Sequence, residues 1–155
     1  MKLDEMDMRI LGILQKNGKI KNTQLAARIG VSPPAMLERV KRLEASGVIQ
    51  KYAALVDRSK VNMKIMAFVF ISLSVHQLTS LDEFSLRVSQ MEGVLECYQV
   101  SGSHDFILKV ILPSMDEYSN FIHEMLTRIP GIRTTESTFV LSTIKDEVAL
   151  PLPEK

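Results

Sequence analysis

Apolar residues recur at helical spacing through the first third of the chain and largely at strand spacing thereafter. Leu3, Met6, Ile10, Ile13 and Leu14 fall on one face of a first helix. Asp4, Glu5 and Asp7 sit in its first turn and Lys16 in its last, as the helix dipole prefers. Asn22 is placed to cap a second helix, whose inner face is Leu25, Ala26 and Ile29. Ser32 is a good N-cap and Pro33 a good first residue for a third helix over 33–46, which Gly47 stops. Val31, Met36, Val40 and Leu43 continue the inner face, so three helices can share one small core. A short helix, a turn containing Gly30 and a basic second helix form a helix-turn-helix, a unit that places its second helix in the major groove of DNA.

After Gly47 the stretch 48–56 reads as extended, either a wing beside the helices or a strand bridging to the second half, with a turn at Asp57, Arg58, Ser59 and Lys60. The rest alternates. Strands are expected over 65–75, 94–100, 106–112 and 132–144. Helices are expected over 81–91, with Leu81, Phe84, Val88 and Met91 inward, and over 115–129, with Met115, Tyr118, Ile122, Met125 and Ile129 inward. The order βαββαβ predicts a ferredoxin-like sheet with both helices on one face, so the class is α+β. The other face carries hydrophobic strand residues and needs cover, which implies dimerisation through the sheet. The expected organisation is a helix-turn-helix domain at 1–50 and strand and linker at 51–62. A βαββαβ effector and oligomerisation domain at 63–145 and a tail at 146–155 follow.

Charge sharpens this division. The net charge is +1, yet residues 1–60 hold twelve Lys/Arg against six Asp/Glu, a net of +6, and residues 61–155 hold seven against twelve, a net of −5. A basic first part beside an acidic second suggests that the first alone faces a polyanion. No apolar run approaches the ~20 residues needed to span a bilayer, and the first residues do not read as a signal peptide. The single cysteine, Cys97, excludes an intramolecular disulfide and fits a reducing cytoplasm. Cys97 lies in a strand pattern and reads as a small buried hydrophobe. His76, His104, His123 and Cys97 show no metal-ligand spacing, and no phosphate loop or catalytic signature is present.

Candidate DNA-contacting residues are Thr23 and Gln24, then Ser32, Pro33, Pro34, Glu38, Arg39, Lys41 and Arg42. Arg39 and Glu38 are expected toward bases and Lys41 and Arg42 nearer phosphates. The turn Ser101, Gly102, Ser103, His104 and Asp105 reads either as an ordinary hairpin turn or as a ligand site. In the second reading Gly102 permits close backbone approach and Asp105 holds an ammonium group. Thr134, Glu136 and Thr138 would complete such a pocket from one side of the last strand.

The ordered set of residues along the chain resembles the Lrp/AsnC family of transcription regulators. In the first half it comprises Leu3-Asp4, Asp7, Ile10-Leu11, Leu14-Gln15, Leu25-Ala26, Val31-Ser32-Pro33, the run from Leu37 to Glu44, Gly47-Val48-Ile49 and the run from Tyr52 to Val56. In the second half it comprises Glu96-Cys97-Tyr98, Ser101-Gly102, the run from Asp105 to Leu108, Ile129-Pro130-Gly131-Ile132, Phe139-Val140-Leu141, Ile144-Lys145 and Leu150-Pro151. The resemblance implies DNA binding by the first domain. It implies dimerisation and sensing of a small molecule, usually an amino acid, by the second, with dimers assembling to tetramers or octamers. It implies no enzymatic activity, no metal and no cofactor beyond the amino-acid effector. Two stretches depart from the family pattern. Pro33-Pro34-Ala35-Met36 replaces the common Pro-Thr-Pro-Cys, so Pro34 and Ala35 offer no side-chain hydrogen bonds to bases. His104 stands where the family often has a small or acidic residue.

Two rival functions remain on sequence alone. A dimeric ferredoxin-like enzyme could use His104 and Asp105 as an acid–base pair, though residues 1–60 would then lack a purpose. An effector-binding module acting only through protein partners would leave the helix-turn-helix unused.

Overall fold

The computed structural model describes residues 2–74 and 80–152. It divides into two units, residues 1–55 with 145–155, and residues 56–144.

The first unit holds three helices, α1 (Glu5–Lys16), α2 (Asn22–Ile29) and α3 (Pro33–Ala45). Helix α1 starts at a reciprocal cap. The Asp7 N–H donates to the Asp4 carboxylate at 2.7 Å and the Asp4 N–H donates to the Asp7 carboxylate at 3.2 Å. A cap of this kind stabilises a helix by ~1 kcal/mol. Asn22 is not the cap of α2. That position falls to Lys21, which makes no side-chain cap bond, and Asn22 is the first helical residue. Gly30 ends α2 at φ +87°, a left-handed conformation open to glycine, and so turns the chain sharply into α3. Ser32 caps α3, accepting from the Ala35 N–H.

Ile10, Leu25, Met36 and Leu43 are completely buried between the three helices, with Ala26, Ile29 and Val40 around them. Full burial of each of the first four stabilises the fold by roughly 1.5–3 kcal/mol. Residues 145–152 return to this unit. The Gln15 side chain donates to the Leu150 carbonyl and accepts from the Leu150 N–H at 2.6 Å, mimicking one rung of a sheet, and Leu152 packs on the helical core. No signal near residue 150 announces this strap, because its partner lies 135 residues away.

Residues 48–56 form no strand within the chain, and Tyr52, Leu55 and Val56 are exposed. The alternation of this stretch is extended in character, but a strand exists only where another strand accepts its hydrogen bonds.

The second unit is a four-stranded antiparallel sheet of β1 (Ile65–Leu73), β2 (Val94–Gln99), β3 (Phe106–Leu112) and β4 (Ile132–Phe139), ordered β2-β3-β1-β4. Helices α4 (Ser80–Ser89) and α5 (Met115–Arg128) connect it. The order is that of a ferredoxin-like βαββαβ fold. Strand β1 ends at Leu73, and residue 75, at the end of the expected strand, lies outside the described residues. Strand β4 stops at Phe139 rather than 144; Leu141 and Ile144 lie almost fully in solvent.

Alternation sorts the sheet residues onto two faces. Ala67, Val69 and Ile71 of β1 pair with Val110, Leu108 and Phe106 of β3, and all are buried. Phe84 and Val88 of α4 and Tyr118, Phe121, Met125 and Ile129 of α5 pack on that face. Two inward expectations fail here. Met115 is half-exposed, because it opens α5 above the sheet, and Phe121 takes the buried place instead. Cys97 is exposed rather than buried, since it sits on the outer strand β2. Side chains at 80–82, including Leu81, lie outside the described set.

Met66, Phe68 and Phe70 of β1, with Ile107 and Ile111 of β3, occupy the second face and are half-buried. Among the described residues both helices of this unit pack on the first face and none on the second. Lys109 stands amid this apolar group, 3.0 Å from Glu96, which also accepts from the Tyr98 hydroxyl at 3.0 Å. Burial pushes the Glu96 carboxyl up, but its bonds to Lys109 and Tyr98 outweigh that and hold it below its ordinary range.

Candidate nucleic-acid interface and ligand site

Helix α3 buries Met36, Val40 and Leu43. At helical spacing the positions opposite that stripe are Pro34, Glu38 and Lys41. These, with Ser32 and Pro33, are exposed, as are Thr23 and Gln24 at the start of α2. Glu38 and Lys41 make only a loose pair at 3.9 Å, with both side chains mostly in solvent.

Arg39 and Arg42 lie on the flank that faces α1, and the structure gives them partners the sequence reading did not anticipate. Arg39 Nη1 donates to Asp4 at 2.7 Å and to Asp7 at 2.8 Å. Arg42 Nη2 donates to both Asp7 oxygens, at 2.9 and 3.0 Å. Asp7 is 1% exposed. The Asp7 N–H, followed by the Arg39 guanidinium, holds the Asp4 carboxyl below its ordinary range, and the same acids raise Arg39. A signal for Asp7 was present: it falls in line with Leu3, Ile10 and Leu14 at helical spacing, an acid within an apolar stripe. A buried acid needs a cation, and the flank of α3 supplies two.

In the second unit the turn after β2 brings several candidates together. The His104 ring lies 5.3 Å from the Phe70 ring, with Nδ1 3.4 Å from Ser72 Oγ and Nε2 3.8 Å from Glu136. The Ser72 hydroxyl also donates to the Ser103 carbonyl at 3.4 Å. Register places Thr134, Glu136 and Thr138 opposite Ser72, Phe70 and Phe68, so all six share the uncovered face. Ser72 and Phe70 were not expected at this site, although their alternation with Phe68 puts them on the same face.

Asp105 also has a structural task within the chain. Its Oδ2 accepts from the Leu73 N–H at 2.7 Å, while its own N–H donates to the Ile71 carbonyl at 2.8 Å. The carboxylate thus holds the end of β1 and is partly spent before any ligand arrives. The His104 ring nitrogens approach Ser72 and Glu136. Gly102 has φ +129°, outside the range of ordinary side chains, and nothing lies within 4 Å of where a Cβ would stand. Two grooves stand out elsewhere, one of about 900 Å³ between α1 and residues 145–152 and one of about 460 Å³ between α4 and β2. The turn lines neither.

A winged helix-turn-helix DNA-binding model matches residues 3–50, and the Lrp/AsnC ligand binding domain matches residues 66–150. The chain belongs to the Lrp/AsnC family. It is a DNA-binding transcription regulator with a ligand-binding domain, and not an enzyme.

Its relatives share nearly the whole length. The Bacillus subtilis transcriptional regulator AzlB is 37% identical, covering 98% of this chain and 97% of that protein. The leucine-responsive regulatory protein of Escherichia coli is 38% identical, covering 92% of this chain and 87% of its own. A Neisseria meningitidis transcriptional regulator solved in complex with L-Met superposes with a TM-score of 0.91 at 34% identity, covering 97% of each chain. An AsnC family regulator from Agrobacterium tumefaciens gives 0.91 at 36% identity, again over 97% of each. Among the described residues no helix is long and apolar enough to cross a membrane, and no group of three His, Cys, Asp or Glu could hold a metal ion.

Proposed function

We propose that this Lrp/AsnC regulator is a homo-oligomer that responds to an amino acid bound beside the 101–105 turn. The observation that carries the ligand reading is the convergence of His104, Ser72 and Glu136 on the uncovered sheet face, next to a turn whose Gly102 leaves its backbone open. Backbone N–H groups of Gly102 and Ser103 would take the carboxylate of the amino acid. Glu136, largely in solvent, would take its ammonium. Thr134 and Thr138 flank Glu136 on the same face, and His104 would bias the choice of side chain. Asp105 shapes the turn by holding Leu73. A single chain offers a shallow surface here, so a second copy is assigned the remaining walls. The same copy would cover Met66, Phe68, Phe70, Ile107 and Ile111, giving a dimer through the sheet that can grow to a tetramer or octamer. The neighbour solved with L-Met supports the ligand class without fixing which amino acid this chain takes.

On the DNA side, α3 enters the major groove with Pro34, Glu38 and Lys41 outermost. Thr23, Gln24, Ser32 and Pro33 lie at the helix starts beside the backbone. Glu38 can accept from a cytosine amino group, Pro34 and Ala35 can pack on thymine methyls, and Lys41 reaches phosphate. Arg39 and Arg42 serve first to hold α3 against α1.

The test is a thermal-shift screen of the twenty amino acids on the wild type and on Gly102→Asp. A ligand that binds only the native state raises the melting temperature. The expected outcome is a shift with one or a few amino acids that Gly102→Asp abolishes while basal DNA binding persists. A variant that still responds fully would place the site elsewhere.

A further inference from the structure

Helix α3 carries three cations, and they are not equally available. Lys41 is mostly solvent-exposed and has only the 3.9 Å contact with Glu38. Arg39 and Arg42 together face Asp4 and Asp7, two positive charges against two negative ones, at 2.7–3.0 Å. Asp7 cannot swing aside, because it is buried and its Oδ2 also accepts the Asp4 N–H in the cap of α1. A phosphate that recruited either arginine would have to separate it from a fixed carboxylate. A phosphate meeting Lys41 faces no such competitor of comparable strength.

We propose that Asp4 and Asp7 act as built-in counter-ions that withhold Arg39 from the DNA backbone and so weaken the sequence-independent part of binding. This rests on the reading that α3 is the helix presented to DNA. Sequence-independent affinity is set by the number of phosphates neutralised, and it appears as the slope of log affinity against log salt, ~−0.9 per phosphate. Base-edge contacts from the outer face of α3 do not depend on that number. By keeping Arg39 paired inside the protein, the head limits its grip on arbitrary sequence while leaving the reading face unchanged.

Asp4 is the position at which to test this. Asparagine caps a helix as well as aspartate does, so Asp4→Asn keeps the cap of α1 and removes the charge, leaving one carboxylate for two guanidiniums. Asp4→Ser serves the same purpose if the first variant melts early in circular dichroism. Binding of the full-length protein to a random-sequence duplex is measured across a salt series. The expected result is several-fold tighter binding of Asp4→Asn at low salt, with a slope steeper by about one phosphate contact. Arg39→Gln alone should leave the wild-type slope unchanged, and Asp4→Asn combined with Arg39→Gln should return to it. An unchanged slope in Asp4→Asn overturns the proposal. So does a double variant that stays steep, which would make the gain a general effect of removing a negative charge, and so does a flatter slope in Arg39→Gln alone. Lys41→Ala separates the two levels of the argument. If it flattens the slope while Asp4→Asn changes nothing, only the counter-ion role fails; if it too has no effect, α3 is not the docked helix and both fall.

Discussion

In residues 1–55, three short helices enclose Ile10, Leu25, Met36 and Leu43 from every side. In residues 56–144, a sheet buries Val69, Ile71, Leu108 and Val110 beneath two helices and leaves Phe68 and Phe70 half-exposed on its other side. The first unit is closed, and what it offers to a partner is charge and shape on its surface. The second leaves one sheet face without a helix among the described residues, and it offers hydrophobic area. Such a difference suits a regulator. A head that meets DNA must stay soluble and rigid when unbound, whereas an uncovered apolar face suits the dimer proposed above.

The largest effect that could break this contrast is in the buried half of the sheet. Leu108→Ala removes a fully buried side chain from between the sheet and its helices and should cost ~2–5 kcal/mol of domain stability, read as a lower midpoint in denaturant. A loss below 1 kcal/mol would mean that this face is not the principal core. Phe68→Asp, on the opposite face, should cost the isolated fold little but weaken self-association at least about tenfold, or ~1.4 kcal/mol, in sedimentation equilibrium. If the variant assembles like the wild type, the uncovered face is not the interface.

The smallest effect is in the phenols. Burial and then the bond to Glu44, at 3.0 Å, push Tyr52 up to about 12. Tyr98 is raised first by its bond to Glu96, and Tyr118 by burial. A tyrosine that ionises later in the folded protein than its ordinary value of 10.0 lends stability that is complete below that value. That stability is lost as pH climbs toward about 12. Ultraviolet titration should therefore show no phenol ionising at its ordinary pH in the folded chain, with Tyr52 high among them. Mutation of Glu44 to Gln should bring Tyr52 down part of the way, since burial remains.

How far each feature could be read in advance follows from how local its cause is. Helix α3 was legible because Ser32, Pro33 and Gly47 act on their immediate neighbours. The βαββαβ order was legible because alternation and helical spacing persist over whole elements. Residues 48–56 and 141–144 have strand-like alternation but no strand partner within the chain, whereas Val140 still donates its N–H to the Met66 carbonyl at 2.9 Å. Thr134, Glu136 and Thr138 could be placed on one side of β4 by parity, whereas the Asp105 bond to Leu73 depends on how β1 and β3 end against each other. The partners of Arg39 lie 32 and 35 residues upstream and could be found only by asking what neutralises the acid in the apolar stripe of α1.

The return of residues 145–152 to α1 has a consequence for the order in which the protein is made. Leu150 and Leu152 are translated after all of residues 56–144, yet they fasten to a helix made before that domain. The helical head can collapse early around Ile10 and Leu25, but its strap cannot be in place until the entire ligand-binding domain has been synthesised. The helical unit is therefore discontinuous in sequence, and its completion waits on the domain inserted between its two parts.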